Sequence, residues 1–129
     1  MKKVFLIDDD PIFVFLAEKM ITTVNSSVNI EIFSDGEAAM IHLEANKNLV
    51  QTLPDIIFLD LNMPVMDGWQ FLTYYSSIYP TIGKKIDVYI VSSTITPAEI
   101  ERSGRYPFVL DLLIKPIDMV QLAKILSNE

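Results

Sequence analysis

Short apolar runs alternate with longer segments of helical spacing along the whole chain. Five runs, rich in Val, Ile, Leu and Phe, occupy residues 3–7, 29–33, 56–59, 88–91 and 109–114. Continuous apolar runs of this length are typical of parallel strands that are buried on both faces. Strict alternation of strands and helices favours a parallel sheet with helices on both sides and right-handed crossovers. The pattern therefore predicts an α/β fold of three layers, written (βα)5.

Five strands of this kind fit the open, flavodoxin-like order 2-1-3-4-5, in which strands 1 and 3 are neighbours. The helices are predicted from capping residues and apolar spacing. The first follows Asp10 as N-cap and Pro11 at its first position, and its core face is Phe13, Leu16, Ala17, Met20, Ile21 and Val24. The others are 36–45, a helix after Gly68 with Phe71, Leu72, Tyr75, Ile78 and Tyr79 inward, 97–103 capped by Thr96, and 118–126.

Composition excludes several classes of function. The 129 residues suit one domain over 1–129, and the pattern ends with the fifth helix, so we expect no effector domain. A net charge of −7 disfavours nucleic-acid binding, which depends on Lys and Arg. The absence of Cys and the single histidine, His42, exclude thiolate zinc sites and thiol catalysis and disfavour a Ser-His-Asp triad. No signal peptide or membrane span is visible, so we expect a cytoplasmic protein.

Polar residues follow the predicted strands where each strand ends. Strand 1 ends in Asp8-Asp9-Asp10, strand 3 in Asp60, strand 4 in 92–94 (SST) and strand 5 in Lys115-Pro116. In an open α/β sheet this edge is where ligands bind. Clustered carboxylates repel one another unless a cation lies among them, and oxygen ligands without His or Cys suit Mg²⁺. One aspartate could then act as a nucleophile toward a phosphoryl group.

These motifs, in this order, resemble the receiver domain of response regulators, the CheY-like family of bacterial two-component signalling. The resemblance covers essentially the whole chain. The motifs that carry it are 4–11 (VFLIDDDP), 55–68 (DIIFLDLNMPVMDG), 91–93 (VSS) and 115–116 (KP).

The resemblance implies a role for each polar group. Asp60 matches the phosphoacceptor, Asp9 would bind Mg²⁺ directly and Asp8 mostly through water, and the backbone carbonyl of Asn62 matches the third protein ligand. The remaining matches are Ser92, a switch hydroxyl that turns toward the phosphoryl group, and Lys115, whose bond to Pro116 is usually cis in the family.

The implied function is that of a stand-alone response regulator and not an enzyme. A histidine kinase or phosphotransfer protein would phosphorylate Asp60 with Mg²⁺, and the output would be protein–protein contact with an unknown target. Two alternatives remain open: an interaction module that has lost phosphorylation, and a phosphatase of the haloacid-dehalogenase kind. The second needs an acidic residue two positions after Asp60, where this chain has Asn62.

The chain also departs from the family pattern. Leu112 stands where an aromatic residue is usual, and 105–107 (RYP) stands near the usual Gly-Ala pair. On the first helix, Ile12, Val14 and Phe15 could form an exposed apolar patch for a partner, or pack inward. We interpret His42 as a surface residue and Trp69 as a packing residue. Asn62 and Thr94 flank the expected pocket, and neither is a good general base, so fast self-hydrolysis is not expected.

Overall fold

A computed structural model describes residues 2–127 and contains five parallel strands separated by helices. Hydrogen bonding orders the strands β2-β1-β3-β4-β5, which confirms the predicted order. Short 3₁₀ turns at Val50–Thr52 and Tyr79–Thr81 interrupt the two longest connections. The elements are β1 (Lys3–Ile7), α1 (Pro11–Val24), β2 (Asn29–Phe33), α2 (Gly36–Ala45), β3 (Ile56–Asp60), α3 (Gly68–Ile78), β4 (Asp87–Ser92), α4 (Pro97–Ser103), β5 (Val109–Ile114) and α5 (Met119–Ser127).

The central strands have apolar residues on both faces, and a separate core lies on each side of the sheet. Successive residues of β3 alternate between these cores, since Ile57 and Leu59 face α2 and α3 while Phe58 faces α1 and α5. All five residues of β3 are buried. A strand in this position needs apolar residues throughout, which is why the runs do not alternate in polarity. The three predicted layers are therefore present.

Side-chain caps fix where the helices begin. The Asp10 carboxylate accepts a hydrogen bond from the Ile12 amide at 3.0 Å, so Asp10 is the N-cap of α1 as predicted. Asp67 and Thr96 cap α3 and α4 through reciprocal capping boxes with Gln70 and Glu99. A cap satisfies amides that have no partner within the helix and contributes about 1 kcal/mol. These caps place the start of each helix directly after the loop that leaves the sheet.

The buried face of α1 differs from the prediction. Phe13, Val14, Ala17 and Ile21 are buried, whereas Leu16 is 48% exposed. At about 100° per residue, these four residues fall within one stripe and Leu16 falls outside it. The predicted inward position of Leu16 is therefore wrong. In the predicted patch Val14 turns inward, and the exposed apolar residues are Ile12, Phe15 and Leu16.

Within residues 2–127, no helix has both the length and the apolar character needed to cross a bilayer.

Candidate functional site

Three aspartates meet at the carboxyl edge of β1 and β3. Asp60 is the last residue of β3, and Asp8 and Asp9 follow β1, its neighbour in the sheet. Asp8, Asp9 and Asp60 each present a carboxylate oxygen within 4.8 Å of the others. Asp8 and Asp60 are buried, and Asp9 is exposed. The two strand ends thus bring together the acidic residues that the sequence predicted.

The Lys115 ammonium approaches this cluster from the end of β5. Its Nζ lies 2.8 Å from Asp8 Oδ2 and 3.6 Å from Asp60 Oδ1. The Lys115 amide donates to the Ser92 carbonyl at 2.9 Å, and the bond between Lys115 and Pro116 is cis. One positive charge therefore faces three carboxylates.

The electrostatics of Asp60 reflect this imbalance. Burial and the nearby Asp8 charge raise the pKa of Asp60 to about 6, although the Lys115 charge and the Asn62 amide oppose the rise. Burial alone would lower the pKa of Lys115, but its bond to Asp8 and the surrounding carboxylates outweigh burial and raise it. Lys115 therefore stays charged, but its single positive charge does not balance the three carboxylates of the cluster.

The cluster fits a hard divalent cation. Asp8 Oδ1 accepts the Asp10 amide at 2.9 Å, and among the described residues the buried Oδ2 has no donor other than the Lys115 ammonium, 2.8 Å away. Carboxylate oxygens without nitrogen or sulfur ligands suit Mg²⁺, which retains several waters and takes few protein ligands. Asp8, Asp9 and Asp60 could hold such an ion. Asn62 is exposed two residues after Asp60, and its carbonyl as a further ligand stays a prediction.

The loop after Asp60 is held tightly against the strand. The Gly68 amide donates to the Leu61 carbonyl at 3.0 Å, and a Cβ at Gly68 would lie 2.5 Å from the Asp60 carbonyl oxygen. Only glycine permits this approach. Within this loop, between Leu61 and Gly68, the backbone of Val65 has a positive φ of 66°. The Met66 amide donates to the Pro64 carbonyl at 2.7 Å, so residues 64–66 form a γ-turn. The Asp60 carboxylate is therefore backed by a compact loop.

Ser92 lies on β4, which pairs directly with β3. Its neighbour Val91 is in register with Asp60, and Ser92 is itself buried. The Ser92 hydroxyl donates to the Thr94 carbonyl at 2.8 Å. In this conformation the hydroxyl is therefore engaged by its own loop.

Several other residues singled out in the sequence lie away from this edge. His42 is half-buried, with its ring 5.3 Å from Phe5 and 5.7 Å from Phe33, so the interpretation as a surface residue is wrong. An aromatic ring pair on the adjacent β1 and β2 strands draws an imidazole inward, which a helical pattern alone does not reveal. Trp69 packs against Tyr106 at 6.4 Å, with the Arg102 guanidinium 4.3 Å from its ring.

Tyr106 and Phe108, in the segment just before β5 where the chain departs from the family pattern, contact α3. The Tyr106 hydroxyl lies 3.3 Å from the Thr73 hydroxyl, and Phe108 packs edge-on against Tyr75 at 4.8 Å. Leu112 is half-buried against the core that contains α2 and α3. The Phe13 ring lies 4.6 Å from Lys115 Nζ, a contact the sequence analysis missed. The sequence feature that could have indicated this contact is the position of Phe13 in the first helical turn after the acidic motif.

Comparisons with known proteins agree with this architecture. A two-component response regulator of Oryza sativa subsp. japonica is 30% identical over 95% of this chain and 19% of its own length. A protein-glutamate methylesterase/protein-glutamine glutaminase of Rhodospirillum rubrum is 32% identical over 95% of this chain and 30% of its own length. The chain thus spans less than a third of these relatives.

Solved structures match over nearly the whole of both chains. A two-component response regulator from Cytophaga hutchinsonii aligns with a TM-score of 0.85 at 27% identity, covering 100% of this chain and 98% of its own. A response regulator receiver protein from Dyadobacter fermentans aligns with a TM-score of 0.81 at 26% identity, covering 99% and 97%. The family model for the response regulator receiver domain matches residues 4–127. The chain therefore belongs to the response regulator receiver domain family, the CheY-like signalling modules of two-component systems.

Proposed function

We propose that Asp60 accepts a phosphoryl group and that the chain works as the receiver of a two-component response regulator. One observation carries the proposal: the Asp60 carboxylate is buried at the end of β3, within 4.8 Å of carboxylate oxygens of Asp8 and Asp9 and 3.6 Å from Lys115. This arrangement offers a nucleophile, a place for a cation and a positive charge for a phosphoryl oxygen.

The donor is a phosphohistidine of a cytoplasmic histidine kinase or phosphotransfer protein. An Asp60 oxygen attacks phosphorus, the new oxygen–phosphorus bond forms as the phosphorus–nitrogen bond breaks, and the released imidazole nitrogen takes up a proton. Mg²⁺, when bound, supplies neutralisation of the developing negative charge. The ammonium of Lys115, now 2.8 Å from Asp8, contacts an oxygen of the transferred group.

Ser92 provides the conformational response. To donate to a phosphoryl oxygen, its hydroxyl must release the Thr94 carbonyl, which it now contacts at 2.8 Å. The loop that follows β4 then has to rearrange, and it leads into α4. Phosphorylation therefore shifts the population between two arrangements of this loop, and about 5 kcal/mol of differential interaction would make the shift nearly complete.

The exposed apolar side of α1 is the proposed contact for the phosphodonor. Ile12 is 71% exposed and Phe15 58% exposed. A cavity of about 300 Å³ beside them is lined by Phe15 together with Asp8 and Asp9, so a partner seated on α1 reaches the reactive edge. The output is likewise proposed to be protein contact, with a target of unknown identity.

A second reading, an interaction module without phosphorylation, is favoured by Leu112 in place of the usual aromatic residue and by the missing Gly-Ala pair near 105–107. The intact acidic cluster and Lys115 oppose it. A phosphatase of the haloacid-dehalogenase kind is opposed by Asn62, since an amide at that position supplies no general acid.

Intact mass after incubation with acetyl phosphate tests the phosphoacceptor. The wild type with Mg²⁺ should gain one phosphoryl group, and it should gain none without the metal. Asp60→Asn should gain none, whereas the control Asp111→Asn, an exposed aspartate on β5, should match the wild type. An adduct on Asp60→Asn would contradict the assignment of Asp60.

Thermal unfolding against Mg²⁺ concentration separates the live receiver from the interaction module. Binding to the native state should raise the melting temperature, with a stabilisation of about 2.7 kcal/mol at one hundred times the dissociation constant. Asp8→Asn should weaken the effect strongly, because it removes the negative charge of a buried carboxylate that lies within 4.8 Å of the Asp9 and Asp60 oxygens. A wild type that neither binds Mg²⁺ nor forms an adduct would favour the interaction module.

A further inference from the structure

Phe13 contacts the reactive site through its ring. The side chain is 8% exposed in the first turn of α1, and Lys115 Nζ lies 4.6 Å from the ring centroid. A cation at this distance from an aromatic face is attracted by the ring quadrupole, and the attraction grows when water is excluded. The Lys115 side chain is only 15% exposed, so the contact is largely dry.

Three groups hold the same ammonium, and they differ in chemistry. The carboxylates of Asp8 and Asp60, at 2.8 Å and 3.6 Å, belong to the reactive cluster, so their hold on Lys115 changes as Asp60 reacts. The Phe13 ring neither titrates nor binds a metal, and it does not compete with a phosphoryl oxygen for the ammonium protons. The charge and the hydrogen-bonding capacity of the ring are therefore unchanged by the transfer.

We propose that Phe13 is a positioning residue for phosphorylation: its ring holds the Lys115 ammonium beside Asp60 while that ammonium exchanges a carboxylate for a phosphoryl oxygen. This inference rests on the proposed function. A purely packing role is the competing explanation, because Phe13 also belongs to the core that contains Leu113 and Ile117.

Fluorinated phenylalanines at position 13 separate the two roles. Each added fluorine weakens the negative face of the ring and changes its shape little. In the full chain with Mg²⁺ and acetyl phosphate, adduct formation should slow stepwise and reach about fivefold slower with three fluorines. Phe71 is the matched control: it is buried in the opposite core, and among the described residues no cation lies over its ring.

The rates of adduct formation at positions 13 and 71 decide between a positioning role and a packing role for Phe13. A graded loss at position 13 with an unchanged rate at position 71 supports the inference. A flat series at position 13, or an equal loss at both positions, overturns it and leaves the phosphoacceptor standing. A wild type that neither binds Mg²⁺ nor accepts a phosphoryl group overturns the proposed function and this inference with it.

Proton NMR of Lys115 gives a readout of the contact itself. The ε-methylene protons should be shifted upfield by the ring in the wild type, and Phe13→Leu, which keeps the site apolar, should remove that shift. An ordinary chemical shift in the folded wild type would overturn the inference whatever the adduct rates.

Discussion

Two aspartates at opposite ends of β3 have opposite electrostatic surroundings. Asp55, just before the strand, accepts the Lys3 amide at 2.7 Å and pairs with the Lys84 ammonium at 2.9 Å. Burial raises the pKa of Asp55, but these two donors outweigh burial and hold the pKa below its ordinary value. At the other end, burial and Asp8 raise the pKa of Asp60 to about 6. One strand therefore has a carboxylate held by positive and amide partners before it and a carboxylate that faces another carboxylate at its end.

The contrast separates an aspartate that stabilises the fold from the aspartate proposed to accept a phosphoryl group. A carboxylate with both oxygens engaged stabilises the native state, because its charged form is favoured by folding. A carboxylate facing others costs stability in the metal-free protein, and the cost persists until a cation neutralises it. The carboxylate at the amino end of β3 is thus bound by nearby donors, while the carboxylate at the carboxyl end lies among other carboxylates.

Removal of the satisfied carboxylate should have the largest effect. Asp55→Ala leaves the Lys3 amide without its acceptor and half-buried Lys84 without its pair, so the free energy of unfolding should fall by about 2–3 kcal/mol. Urea denaturation measures it. Asp87→Ala is the control at the same edge, since its partner Lys85 is 3.7 Å away and largely exposed. An equal loss in both variants would contradict the contrast.

Neutralisation of Asp60 should instead raise the free energy of unfolding. Asp60→Asn removes a buried negative charge that faces Asp8, so the metal-free protein should gain about 1–2 kcal/mol at pH 7, after allowance for solvent screening. Urea denaturation in the presence of a chelator measures this gain. If Asp60→Asn is less stable than the wild type under these conditions, the repulsion within the cluster is not the dominant effect.

The same comparison predicts opposite dependences on pH. Between pH 4 and about 6 the native state binds a proton at Asp60 that the unfolded chain has released, so metal-free stability should fall as pH rises through about 6. Asp55 contributes stability that is present above its unfolded pKa and is lost as pH falls below it. Unfolding curves of the wild type and Asp60→Asn should therefore converge toward pH 4. A constant difference from pH 4 to pH 7 would exclude this origin.

The residues that meet at the carboxyl edge of the sheet were predictable because topology alone brings the strand ends together. Asp8, Asp60, Ser92 and Lys115 each follow an apolar run, and a parallel sheet places all these ends on one side. The caps at Asp10 and Thr96 were equally visible, since they depend on residues next to one another in the chain.

What the sequence did not reveal depends on how elements rotate against one another. Leu16 and Val14 are both apolar, and only the packing of α1 on the sheet decides that Val14 is the buried one. The inward position of His42 depends on rings from two strands. The contact of Phe13 with Lys115 joins residues about one hundred positions apart, and no spacing rule links them.

Replacement of Val65 should have the smallest effect on the free energy of unfolding, and it tests whether the backbone near Asp60 is strained. Its φ of 66° is unfavourable for a β-branched residue, and its side chain is 72% exposed, so little burial offsets the strain. Val65→Gly should raise the free energy of unfolding by about 0.5–1 kcal/mol, because relief of strain exceeds the added entropy of the unfolded chain. Val65→Thr keeps the branched Cβ and should leave stability unchanged. Urea denaturation of both variants decides the matter: equal stability of Val65→Gly and Val65→Thr would mean that the loop behind Asp60 stores no strain, and that the imbalance at this end of β3 lies in its charges alone.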